Sequence, residues 1–318
     1  MKKMFADFNN QSKTVKDTIN DFLISKRGKK ADSTVKYYEE RLNAFNDYLR
    51  KSEKIENIGG INRSVVDRYM NEKRACNPYI SNQTLNNNLR AIRTFINYCI
   101  NEDYVKYFKI EMYPTTNIPK KPYTDEEQAL LLKKPDLNKC TFTEYRNWVI
   151  VCHFLASGNR SRTVRHIKIK HVDLGKRRVV LETTKNNEVL YMPISDTYLP
   201  IIRDYLKMRK GSPDDFLFCS QYGKQLSEGG LRCIMNRYNK RHGVDTTSIH
   251  RFRNTFAETW IMNDGNTKKL QYALGHKTSS MIDQYVSVYG KELDEEFNDL
   301  TPLSMQKDNL EVKKKIRR

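Results

Sequence analysis

His250-Arg251-Phe252-Arg253-Asn254-Thr255-Phe256-Ala257-Glu258-Thr259-Trp260 (HRFRNTFAETW) carries two spacings at once. Phe252, Phe256 and Trp260 recur at i, i+4 and i+8, which on a helix puts the rings on one face and pins that face in a core. His250 and Arg253 are three apart, so both side chains can project from a neighbouring face into a cleft. A helix over 249–263 is expected. Downstream, Ala273-Leu274-Gly275-His276 reads as the end of a helix over 267–274, with glycine tolerating the left-handed turn and leaving room for close approach. A short helix over 279–287 then leads to Tyr285. Upstream, strands over 178–183 and 189–193 flank the polar turn Thr184-Lys185-Asn186-Asn187.

Further out, helices are expected over 124–133, 143–157, 196–209 and 228–241. Thr124 opens the first of these, with Asp125, Glu126 and Glu127 in its first turn, where they satisfy free amides and oppose the helix dipole. The stretch from Tyr107 to Tyr123 has no period and holds Pro114, Pro119, Pro122, Lys120 and Lys121, which reads as a linker. Before it, apolar residues recur at three and four in Val15–Lys26, Ser33–Lys51, Arg63–Lys73 and Asn82–Glu102, with Ser33 and Ser81 as expected N-caps. The reading is a mainly α protein with a small antiparallel β-sheet in its C-terminal domain. Its parts are a helical domain over 13–106, a linker over 107–122, an α+β domain over 123–300 and a basic tail over 301–318 ending in Lys313, Lys314, Lys315, Arg317 and Arg318.

The 318 residues carry 57 Lys and Arg against 38 Asp and Glu, a formal charge of +19. An excess of that size points to nucleic acid or an anionic membrane, and its spread along the chain, not on one amphipathic helix, favours nucleic acid. The longest apolar run, from Trp148 to Ala156, is broken by His153 and falls short of the roughly 20 residues that span a bilayer. MKKMFADFNN has no apolar stretch behind its lysines, so a cytoplasmic, nucleoid-associated protein is expected and no membrane partner. The six cysteines form no Cys-x-x-Cys pair, against a zinc site or disulfide framework.

On the Asn82–Glu102 helix, Leu85, Leu89, Ile92, Ile96 and Cys99 follow the spacing of a buried face, and Asn86, Arg90, Arg93 and Asn97 follow it on another. Asn and Arg are shaped for bidentate contact with adenine and guanine edges, so these four, with Lys120 and Lys121, are candidate DNA contacts; a solvated polar face is the alternative.

Arg160, Lys185, His250, Arg253 and His276 form a scattered cationic set followed by Tyr285. Breaking a phosphodiester places further negative charge on an anionic group, so catalysis needs donors fixed where that charge grows. Guanidinium suits the task because its planar fork matches phosphate oxygens. A hairpin lysine can protonate the leaving oxygen, and a phenol can attack the phosphorus to leave a phosphotyrosine that keeps the ester's energy.

These residues resemble the tyrosine recombinases, or phage-type integrases. Ser157-Gly158-Asn159-Arg160 looks like the family's first arginine box, with Asn159 where an aliphatic residue is usual and Thr163 where glutamate is often found. Lys185 sits where the β-hairpin lysine is expected, His250-Arg251-Phe252-Arg253 matches the His-x-x-Arg box, Leu274-Gly275-His276 matches the Leu-Gly-His box, and Tyr285 follows at the usual interval. The resemblance covers about residues 13 to 300, the helical N-terminal part being similar to the family's core-binding domain. It implies a two-domain clamp on duplex DNA and a tetramer joining two sites, with accessory bending or directionality factors as further partners and no metal or cofactor. Tyr285 would be the nucleophile, Arg160, Arg253 and His276 the transition-state donors, Lys185 the acid, and His250 the residue that positions or deprotonates Tyr285. Leu293, Phe297 and Leu300 would give the segment beyond Tyr285 a stripe for docking on a neighbouring protomer. Arg162 and Arg165 are alternatives to Arg160, and Tyr289 to Tyr285, although the interval from His276 favours Tyr285. His153, His166, His171 and His242 have no motif around them. The function expected is site-specific recombination for a mobile element; a DNA-binding regulator with this fold and a type IB topoisomerase are the alternatives.

Overall fold

The computed structural model describes residues 13–115, 121–182, 189–245, 248–275, 283 and 286. They fall into two compact units that divide between Asn117 and Ile118. The first contains helices α1 (Val15–Lys26), α2 (Asp32–Tyr48), α3 (Arg63–Cys76) and α4 (Asn82–Asn101). Thr14, Asn62 and Ser81 cap α1, α3 and α4 with side-chain oxygens that accept from the first-turn amides. Ser33 is not a cap: α2 starts earlier, with Ala31 at its N-cap, and Asp32 supplies the first-turn charge. Leu49–Glu53 continues α2 as a π-turn.

The core of this unit joins Phe22, Leu42, Phe45, Tyr69, Leu85, Ile92 and Phe95, with Phe22 and Phe95 edge to face at 5.6 Å. Residues 107–113, expected as linker, belong to it. Ile110 is buried, and Phe108, Met112 and Tyr113 pack against the same core. The Asn86 amide holds Tyr113 twice at 2.9 Å, donating to its carbonyl and accepting from its N–H, and Asn82 donates to the Pro114 carbonyl. Apolar side chains and asparagine amides thus order a stretch that lacks any period.

In the second unit, α6 (Phe142–Ser157) is buried on nearly every side and occupies the centre. It is preceded by α5 (Asp125–Leu131) and followed by α7 (Ser161–His166), a helix too short to show a period. Thr124 and Glu127 form a capping box at α5, and Thr141 and Glu144 another at α6. A three-stranded antiparallel sheet follows in the order β1 (Val172–Asp173), β2 (Arg178–Leu181), β3 (Leu190–Pro193), closing on the pair Leu181 and Leu190. Then come α8 (Tyr198–Arg209), α9 (Glu228–Arg241), α10 (Ile249–Met262) and α11 (Thr267–Leu274). Both α8 and α10 pack on α6.

The aromatic stripe of α10 divides between two clusters. Phe252 is fully buried in the main core, stacked on Phe154 at 5.5 Å, while Phe256 and Trp260 are half-buried around Ala257, Leu270 and Leu274. No helix among the described residues is long and apolar enough to cross a membrane.

Candidate active site

Three helix ends build this site. α6 stops at Gly158, whose φ of 59° is left-handed and whose absent side chain is needed: a Cβ there would lie 2.7 Å from Phe256 and 2.8 Å from Leu274. The chain turns through Asn159 to Arg160, the N-cap residue of α7. α11 stops at Gly275, also left-handed, where a Cβ would meet Leu190 at 2.8 Å and the Arg160 guanidinium at 3.8 Å. The end of α11, the first arginine and the base of the hairpin are therefore packed side by side. Lys185 lies between Leu181 and Leu190 in sequence and His276 directly follows Gly275; both, with Tyr285, fall outside the described residues.

α10 brings Arg253 to the same place. Its side chain is 6% exposed, and its fork donates from Nη1 to the Gly158 carbonyl at 2.9 Å and from Nη2 to the Leu274 carbonyl at 2.8 Å. Arg160 Nη1 donates to the same Leu274 carbonyl at 3.2 Å and to that of Gly275 at 3.4 Å. Two guanidinium groups thus share one acceptor at a helix C-terminus, whose carbonyls carry partial negative charge and oppose their repulsion. An anion between them would oppose it further.

His250 is exposed on the first turn of α10, one turn before the buried Arg253. Of the alternatives to Arg160, Arg162 is exposed, and Arg165 is drawn to the Leu226 carbonyl at 3.3 Å and to Glu228 at 3.8 Å. Thr163 is buried. Val286, next in sequence to Tyr285, packs on the cluster of Ala257, Leu270 and Leu274. Tyr289 lies outside the described residues.

Two contributors gave no sequence signal. Arg251, in an open slot of the His-x-x-Arg box, is 7% exposed and gathers the entry to this unit. It donates to the Lys121 carbonyl at 2.8 Å, the Pro122 carbonyl at 2.7 Å and Glu127 Oε2 at 2.7 Å, and stacks over Tyr123 at 4.1 Å. Its partners lie more than a hundred positions away, beyond any local pattern. Arg251→Ala is expected to destabilise the unit by about 3 kcal/mol, the low end for breaking a buried ion pair because Glu127 keeps some access to water. A thermal melt should show a Tm lower by roughly 6–12 °C.

His153 is the second. It is fully buried on α6 between the Tyr198 hydroxyl at 2.9 Å and Asn159 Nδ2 at 3.3 Å, and burial pushes its imidazole down to about 3. The unfolded chain takes up this proton near pH 6.5 and the folded one does not, so the stabilising effect is complete above pH 6.5 and is lost as pH falls towards 3. The expected slope is up to about 1.4 kcal/mol per pH unit in that window. Urea titrations at pH 7, 5 and 4 should show a shallower acid decline for His153→Gln than for the parent.

Among the DNA candidates, Asn86 is corrected. It is 2% exposed and its amide is engaged by Tyr113, so it cannot reach a base edge. Arg90, Arg93 and Asn97 are exposed on α4, with Arg90 donating to Asn87 at 2.8 Å. Lys121 is exposed, and Lys120 lies outside the described residues. No group of three or more His, Cys, Asp or Glu side chains among the described residues is arranged to hold a metal.

Comparison with known proteins places the chain in a family. Residues 123–292 match the phage integrase family, and residues 19–103 match the phage integrase N-terminal SAM-like domain. Tyrosine recombinase XerD of Staphylococcus epidermidis is 24% identical over 283 residues, spanning 86% of this chain and 93% of that protein. Tyrosine recombinase XerC of Thermodesulfovibrio yellowstonii is 26% identical over 303 residues, spanning 91% and 97%. Two solved structures share the fold. The Tn1549 transposon integrase in complex with transposon right end DNA has a TM-score of 0.71 at 19% identity, covering 91% of this chain and 99% of that one. A lambda integrase dimer bound to a COC' core site has a TM-score of 0.68 at 15% identity, covering 88% and 98%. Since the family match alone spans more than half of the sequence, the chain belongs to the phage integrase family and is a tyrosine recombinase.

Proposed function

We propose that this recombinase cuts and rejoins duplex DNA at specific sites for a mobile element. The observation that carries the reading is the convergence of Arg160 and Arg253 on the Leu274 carbonyl, beside the hairpin base at Leu190. In this mechanism the Tyr285 oxygen forms a bond to the scissile phosphorus as the bond to the 5′ oxygen breaks. Arg160, Arg253 and His276 hold the non-bridging oxygens, where donors fixed in advance stabilise the growing charge. Lys185 gives its proton to the leaving 5′ oxygen, and His250 positions or deprotonates the phenol. The resulting 3′-phosphotyrosyl bond keeps the ester's energy, so a free 5′-OH can reverse the step without ATP.

Arg90, Arg93, Asn97 and Lys121 extend the DNA contact, and four protomers join two sites. The mobile-element role draws on the phage-type first arginine box and on the fold shared with the transposon and lambda integrases. The test is a labelled suicide duplex, nicked beside the scissile phosphate and taken from DNA flanking the gene, where paired inverted repeats are expected. A denaturant-stable adduct at the 3′ side supports the proposal. Tight, salt-sensitive binding with no cleavage would mark a regulator, and relaxation of a plasmid lacking the site would mark a topoisomerase.

A further inference from the structure

Beneath Arg160 runs a buried polar chain to which the reaction assigns no part. The Tyr198 hydroxyl, on α8, is 2.9 Å from His153 Nδ1; His153 Nε2 is 3.3 Å from Asn159 Nδ2; and Asn159 Nδ2 is 3.3 Å from Met192 Sδ on β3. Tyr198, His153, Asn159 and Met192 are 2%, 0%, 6% and 7% exposed. The Asn159 amide nitrogen can only donate, so it faces two acceptors: an imidazole lone pair and a thioether. This assigns the His153 proton to Nδ1, from which it is donated to the Tyr198 oxygen. A charged imidazole would set donor against donor at Asn159, so the chain works with a neutral histidine.

The backbone of Asn159 is held as well. Its N–H donates to Ser157 Oγ at 3.2 Å, and Ser157 Oγ donates to the His153 carbonyl at 2.6 Å. Asn159 thus ties the turn between α6 and α7 to three elements: α6 through His153, α8 through Tyr198, and β3 through Met192. The next residue is Arg160, and β3 is the strand that follows Lys185 in sequence. An aliphatic side chain at position 159 could fill the volume but make none of these bonds.

We propose that Asn159 is a positioning residue, which fixes Arg160 relative to the strand carrying the hairpin by bonding His153 on one side and Met192 on the other. The proposal rests on the reading that Arg160 takes part in cleavage.

The test is single-turnover cleavage of the suicide duplex by the full chain, with DNA affinity and thermal melts measured in parallel. Asn159→Leu is expected to lower the cleavage rate by about 10- to 100-fold, the penalty of a small misplacement of a catalytic group, with DNA affinity within about twofold of the parent. Added to Arg160→Ala, it should cause no further loss, because both changes remove the same contribution. Tyr198→Phe removes only the hydroxyl, should fold even if Asn159→Leu does not, and should cost about 3- to 10-fold in rate, the worth of one hydrogen bond. A lower Tm with cleavage within about twofold of the parent in the folded variants would show a purely structural role and overturn the proposal. Normal cleavage by Arg160→Ala would instead refute the catalytic reading of Arg160, and the positioning role with it.

Discussion

Tyr285→Phe is expected to bind DNA like the parent and form no covalent adduct with it. The change removes one oxygen and keeps the ring, so packing is preserved while the nucleophile is lost. Complete loss is expected, because phenylalanine has no oxygen to attack the phosphorus. On the suicide duplex, the adduct band should vanish on a denaturing gel while a mobility-shift assay remains unchanged. Tyr289 is the control: Tyr289→Phe should retain the adduct. If the two variants behaved the other way round, the nucleophile would be Tyr289, and the interval from the Leu-Gly-His box would have misled.

Arg253→Ala should lower single-turnover cleavage by about two to three orders of magnitude, the usual cost of one fixed donor at a developing anion. The geometry adds a second effect. Arg253 spans the Gly158 and Leu274 carbonyls, at 2.9 and 2.8 Å, so its loss takes the guanidinium from the buried Gly158 carbonyl, while Leu274 keeps the bond from Arg160. That should cost about 1–3 kcal/mol of stability, visible in a melt. Arg253→Lys separates the two contributions. An ammonium restores the charge but is a point donor without a fork, so it cannot span both carbonyls while facing a phosphate. It should recover part of the rate. Cleavage by folded Arg253→Ala within about threefold of the parent would remove Arg253 from the catalytic set.

Local patterns revealed the helices well because their signals are local. Val15–Lys26 starts and ends where the apolar spacing does, and Thr124 announces α5 through a capping box formed within one turn. Elements too short for a period, such as α7 and the two-residue β1, had no such signal. Asn86 shows the sharper limit. It shares its spacing with Arg90, Arg93 and Asn97, yet the chain returns to it at Tyr113, and a long-range backbone contact turns a candidate reading group into a tether. The site divides in the same way. The motifs named Arg160 and Arg253, but nothing local showed that they meet at the Leu274 carbonyl, that Arg251 reaches back to Glu127, or that Asn159 rests on His153.

The reach of Arg251 also decides where the chain can be cut for separate study. Its guanidinium holds the carbonyls of Lys121 and Pro122, two residues ahead of the first matched position of the integrase family. A catalytic fragment begun at Tyr123 would retain every motif and still lack two acceptors beneath the helix that carries Arg253. One begun at Ile118, the edge of the compact unit, keeps both. The working edge of this domain is set by what grips it, not by where its first helix begins.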